Sequence, residues 1–165
     1  MRLVKLVIIS LLVLAVIVTA ISSLFPSTVI VSRAVEMSAT AAQIEHYTSD
    51  LNQWQYWMSD WKENKATLKD STVYIGTQTI KLLSRNDSSV TYDWVATGQR
   101  PYLVKFEWIP LQKGIYVVHW SFEQHVKWYP WEKFQTLLNE KVLGAKMEEE
   151  LQHLTACILS NNDFK

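Results

Sequence analysis

A single cysteine, Cys157, stands among 165 residues. One thiol cannot close an intramolecular disulfide, and no cysteine–histidine spacing resembles a zinc site. Glycine and proline are scarce, with four of each, which excludes collagen-like and low-complexity sequence. Net charge is missing too: 16 Lys and Arg balance 16 Asp and Glu. That balance excludes a strongly basic nucleic-acid binder and an acidic disordered chain. What is abundant is apolar surface. Hydrophobic residues make up 48% of the chain and eight are Trp, ample to build a core.

Charge is absent altogether from residues 6–25, where Ser10, Thr19, Ser22 and Ser23 are the polar residues. As a helix, this run spans about 30 Å, the thickness of a bilayer hydrocarbon core. Arg2 and Lys5 precede it, and basic flanks favour the cytoplasmic side. The reading is a single-pass anchor over residues 1–25, touching the bilayer through residues 6–25. The domain of residues 26–165 then lies on the non-cytoplasmic side. The alternative is a signal peptide cleaved near Ala20, after Val18 and Thr19. Removing Arg2 and Lys5 leaves 14 basic against 16 acidic residues, a net charge of −2. Pro26, Ser27 and Thr28 leave no room for a flexible linker, so the domain should sit close to the lipid.

Residues 29–37 are β-branched and alternating, which predicts a strand. Thr40 can cap a short helix with Ile44 and Tyr47 on its buried side. Asp50 is the next cap, and Leu51, Trp54, Met58 and Trp61 follow at helical spacing with Trp57 on the flank. Six more strands are expected at 66–70, 73–78, 80–84, 90–97, 102–109 and 114–124. Residues 86–89 and 111–114 are turn material. Short connections imply a mostly antiparallel sheet. Alternation assigns Val90, Tyr92, Trp94, Ala96, Tyr102, Val104, Phe106, Trp108, Tyr116, Val118, Trp120 and Phe122 to the buried face. Asp93, Lys105, Glu107, His119, Ser121 and Glu123 fall on the other.

Only residues 130–160 are long enough to cover that apolar face. Pro130 suits a first helical turn. Two apolar stripes run along this segment in different phases: Trp131, Phe134, Leu138 and Val142, then Leu143, Met147, Leu151, Leu154 and Ile158. At about 100° per residue they cannot both face one sheet. A break or sharp bend is therefore predicted within 139–144, where Gly144 is the weakest helix former.

Three stretches then carry a resemblance. They are Pro26 to Arg33 with Ile44, Tyr47, Asp50, Leu51, Trp54 and Trp57; Gly114 to Phe122; and Gly144 to Leu151 with Leu154. In order and spacing they resemble the START-like, Bet v 1-type "polyketide cyclase" superfamily, in a membrane-anchored bacterial branch. The resemblance implies an α+β helix-grip fold, a curved antiparallel sheet of six to seven strands around a long, bent C-terminal helix. It also implies a bacterial inner-membrane location and a hydrophobic small molecule, lipid or isoprenoid-like, held between sheet and helix. The residues expected to line that space are Trp57, Tyr92, Trp94, Phe106, Trp108, Tyr116, Trp120, Phe122, Met147 and Leu151. No cofactor, metal or nucleic acid is implied, and no catalytic residue is assigned.

Two other readings stay open. A cyclase-like enzyme would need ionisable groups facing the cavity, and Asp93, Glu107 and His119 are the residues to inspect. An interaction domain at the membrane would show Trp128 and Trp131 exposed beside a filled interior. Trp54, Trp57 and Trp61 could seal the core, line a cavity mouth or meet lipid headgroups. His119, Glu123 and His125 share one parity, as metal ligands can, but the solvated outer face explains them better. Cys157 reads as a passive helix residue, and 148–150 as a solvated acidic run.

Overall fold

In the computed structural model, described residues are 2–24, 26–63, 66–69, 71–98, 100–127 and 129–161, without the side chains of 62, 63 and 134–139. Helix α1 (Arg2–Ser23) comes first. It is long and apolar enough to cross a membrane, a test that a signal sequence also passes. Its apolar side chains face away from the rest of the chain, Leu3, Leu6 and Leu12 each being more than 60% exposed. Water is a poor surrounding for such a surface.

Strand β1 (Thr28–Ser38) follows, then α2 (Ala41–Ser49). Thr40 caps α2, its side chain accepting from the Gln43 N–H, while Gln43 reaches back to the Thr40 N–H. Ile44 and Tyr47 are buried, as the spacing requires. The next aromatic segment is not one helix. It divides into a 3-10 turn (Leu51–Gln53), α3 (Trp54–Trp57) and α4 (Ser59–Glu63), with Met58 extended between them. Trp57, expected on the flank, is completely buried, and Trp61, beyond the extended Met58, is only half-buried.

The sheet is completed by β2 (Thr67–Lys69), β3 (Thr72–Ile75), β4 (Gln78–Asn86), β5 (Ser89–Ala96), β6 (Tyr102–Gln112) and β7 (Ile115–His125). Its order is β1-β7-β6-β5-β4-β3-β2, and every pairing is antiparallel. β1 therefore closes against β7, a pairing that joins the two ends of the domain. Register shifts near Leu83 and Leu111 supply the local bends a curved sheet needs. The β6–β7 turn uses Gly114 at φ +76°, a conformation costly for a residue with a Cβ. The predicted parity holds: Val90, Tyr92, Trp94, Val104, Phe106, Trp108, Val118, Trp120 and Phe122 are all buried.

Helix α5 (Pro130–Ser160) covers this face. The expected break is absent, because the helix continues without interruption through 139–144. The two stripes instead have different surroundings. Met147, Leu151, Leu154 and Ile158 pack into the core, while Trp131 and Val142 are 66% and 74% exposed. Gly144 is buried, and a Cβ there would overlap the Arg33 guanidinium. Its lack of a side chain serves close packing rather than a helix end. Trp128, Phe25 and Asp70 lie outside the described residues, as do the side chains of Phe134 and Leu138.

Candidate functional site

A cavity of about 390 Å³ lies between the sheet and α5. Its sheet wall is Gln78, Trp94, Ala96, Tyr102, Trp120 and Phe122, and its helix wall is Val142, Leu143, Lys146, Met147 and Glu150. Met58 and Asp60, from α4 and the residue before it, close the side. The volume falls at the small end of the range for drug-sized ligands.

Aromatic packing sets the cavity's limits. Trp54 projects from α3 into the sheet, with ring centroids 5.0 Å from Tyr92 and 5.9 Å from Phe106. Phe106 in turn stacks on Trp120 at 4.8 Å. Trp54 and Phe106 lie outside the cavity lining, and their rings occupy the space beyond it. Four of the expected lining residues, Trp94, Trp120, Phe122 and Met147, do face the cavity. Trp57, Tyr92, Phe106, Trp108, Tyr116 and Leu151 do not line it. Trp57 donates to the Tyr47 carbonyl at 3.0 Å and Trp108 to the Asp87 carbonyl at 3.2 Å. Tyr92 donates to the Thr48 carbonyl at 2.6 Å. Leu151 packs in the core and Tyr116 is half-buried beside it.

The cavity rim is polar, and sequence reading missed it. Lys146 on α5 reaches Asp60 on α4 at 2.5 Å. Glu150 is 2% exposed, so it is not part of a solvated acidic run. Both of its oxygens accept from the Ser59 N–H at 3.1 Å, and His153 Nδ1 lies 3.5 Å away. Gln78 accepts from the Trp94 indole at 2.7 Å. The Trp120 indole, by contrast, has no partner among the described residues. Buried indole N–H groups usually find one. The two contacts that join α4 to α5 span 86 and 91 positions of the chain, so no local motif announces them.

The other candidate chemistry stays outside. Asp93, Glu107 and His119 occupy the parity opposite Trp94, Phe106 and Trp120, on the outer face. Glu107 pairs there with Lys105 at 2.6 Å and with His119 at 3.8 Å. His125 contacts Thr28 and Glu123. Among the described residues, no group of three or more His, Cys, Asp or Glu could hold a metal ion. Shifted titrations belong to the scaffold. Burial pushes the Tyr92 and Tyr47 hydroxyls up from their usual range. Burial also acts on Asp50, but hydrogen bonds from Asn52 and Gln53 outweigh it and lower its carboxyl.

Comparison with solved structures places this geometry among known folds. A START superfamily protein from Mycobacterium smegmatis is 14% identical over 79% of this chain and 97% of its own, with a TM-score of 0.56. An uncharacterised protein from Bacillus thuringiensis is 15% identical over 79% of this chain and 99% of its own, with a TM-score of 0.57. CalU16 from Micromonospora echinospora is 16% identical over 79% of this chain and 75% of its own, with a TM-score of 0.55. At such identities the likeness is one of fold. No curated protein matches the chain. Residues 28–158 match the family model described as polyketide cyclase / dehydrase and lipid transport, and the chain belongs to that family.

Proposed function

We propose that this protein is a membrane-anchored binding protein for one hydrophobic small molecule, lipid or isoprenoid-like, held between the sheet and α5. The observation that carries this is the 390 Å³ cavity walled by Trp94, Trp120, Phe122 and Met147. Aromatic walls with few polar groups suit an apolar ligand. A hydroxyl or carbonyl on that ligand would satisfy the Trp120 indole. Residues 1–25 serve as the anchor in this reading. Arg2 and Lys5 favour a cytoplasmic N-terminus, which puts the domain of residues 26–165 on the other side of a bacterial inner membrane. The test is organic extraction of the purified full chain followed by mass spectrometry. A single apolar species near one per chain is expected. An empty protein that also fails to bind a fluorescent naphthylamine would refute the reading.

A cyclase-like enzyme is the second reading, favoured by the ionisable Asp60, Lys146 and Glu150 at the rim. One of these carboxylates would then take a proton from a substrate carbon beside a carbonyl. Incubation with poly-β-ketone substrates tests it. Turnover abolished by Asp60→Asn or Glu150→Gln is the expected result, and no turnover by the unaltered chain counts against it.

A further inference from the structure

We propose that Tyr129, Trp131 and the first turns of α5 rest in the headgroup layer of the bilayer that α1 enters, and that the cavity opens toward that surface. Its ligand is then an amphiphile drawn from the adjoining leaflet. The proposal rests on the reading of α1 as an anchor.

Strand register places the cavity at one end of the sheet. Thr28, the first residue of β1, pairs with His125, the last of β7. Leu103 pairs with Glu123, Trp94 with Tyr102, and Gln78 with Ala96. All six sheet residues of the cavity belong to this end or lie within a few residues of it. Only Leu24 to Ser27 separate this same end from α1. The opposite end carries the β6–β7 turn and Leu111.

A direct tie fixes α5 at the same level. Lys133 is 5% exposed, and its ammonium donates to the Ser22 carbonyl at 3.0 Å. Ser22 lies in the last turn of α1, where a basic group meets the negative end of the helix dipole. If α1 spans the bilayer, its C-terminal end marks the interface, and Lys133 stands there with it.

The surface beside Lys133 has interfacial chemistry. Trp131 is 66% exposed and stacks on Tyr129, with ring centroids 4.9 Å apart and planes 7° from parallel. Lys127 stands 5.7 Å from the Tyr129 ring. Tryptophan and tyrosine concentrate at headgroup depth, and lysine stems reach through it. Val142, 74% exposed, places an apolar side chain at the cavity rim. The occupant of this surface is lipid, since Lys133 ties its helix to the end of α1, whose apolar side chains are exposed along its length.

The test uses the full chain in phosphatidylethanolamine–phosphatidylglycerol vesicles. In a Cys157→Ser background, single cysteines replace Trp131, Val142 or Leu111 and carry an environment-sensitive fluorophore. Lipids with a nitroxide near the headgroup act as quencher. Quenching at 131 and 142 should exceed that at 111 at least threefold. A label at 142 quenched no more than one at 111 overturns the proposal, whatever 131 shows, and leaves the anchor standing. A chain that washes off the vesicles in alkaline carbonate refutes the anchor and this proposal with it.

Discussion

The Arg33 guanidinium crosses α5 at Gly144, where a Cβ would overlap its terminal nitrogen, and pairs with Glu148 one turn on at 2.5 Å. β1 and the covering helix are thus joined at a point where the helix surface is bare. Two effects compete at this position. Ala for Gly favours a helix by about 1 kcal/mol, but the added methyl displaces Arg33. We expect Gly144→Ala to stabilise the chain by about 1 kcal/mol in an Arg33→Ala background and by clearly less when Arg33 is present. Chemical denaturation of the four variants measures the coupling. Equal effects in both backgrounds would show that Arg33 does not lie against Gly144.

Blocking the cavity is the most direct probe of the binding reading. Ala96 lines the cavity and is only half-buried, so a larger side chain there can fill empty space without disturbing the core. Ala96→Phe should weaken binding of an apolar fluorophore at least tenfold while the melting temperature stays within a few degrees. Retained affinity would mean that the probe binds elsewhere.

Glu150 holds α4 against α5. Replacing it by Ala leaves the Ser59 N–H without its acceptor, a loss of about 1–3 kcal/mol for a buried donor. Glu150→Gln keeps an acceptor oxygen and should lose less. Urea denaturation separates the two. Identical losses would indicate that the negative charge, rather than the hydrogen bond, holds the segment.

Much of this architecture is legible in the sequence because strands repeat every two residues. Tyr92, Trp94, Phe106 and Trp120 are assigned inward by parity alone, and their burial follows. What escapes are features set by distant neighbours. Trp57 reads as a flank residue, yet it is fully buried with its indole on the Tyr47 carbonyl of α2, and nothing in the local spacing signals that. Glu150 reads as solvated because its neighbours Glu148 and Glu149 are exposed, and the Ser59 N–H that claims it lies 91 residues away. The extent of the cavity is hidden for the same reason. An inward parity does not say which inward residues are met by Trp54 from another element.

Alkaline pH should act through Tyr92. Its hydroxyl is buried and donates to the Thr48 carbonyl, and burial raises its titration above the ordinary tyrosine range. A raised folded-state value means that stability is complete below about pH 10, the unfolded tyrosine value. It is lost as pH climbs from there toward the folded-state value. Tyr92→Phe should cost about 1 kcal/mol at neutral pH through the lost hydrogen bond. It should also flatten the decline above about pH 10. Tyr47 is shifted in the same direction, so some decline should persist. A decline unchanged by Tyr92→Phe would assign it to other groups.

Lys133 offers a test of how firmly anchor and domain are joined. Its ammonium is buried at the C-terminal end of α1, where it satisfies the Ser22 carbonyl. Lys133→Met keeps most of the apolar stem and removes the donor. An end-of-helix cation in a partly buried setting contributes up to about 2 kcal/mol, so the loss should be local. Amide exchange should rise in the last turn of α1 and the first turn of α5, while β5 to β7 keep their protection. Lys133→Arg should restore protection in part, because it keeps a donor at that depth. Faster exchange throughout the sheet would instead make Lys133 a determinant of the whole fold. No change at either helix end would show that Ser22 and Lys133 are not joined in solution.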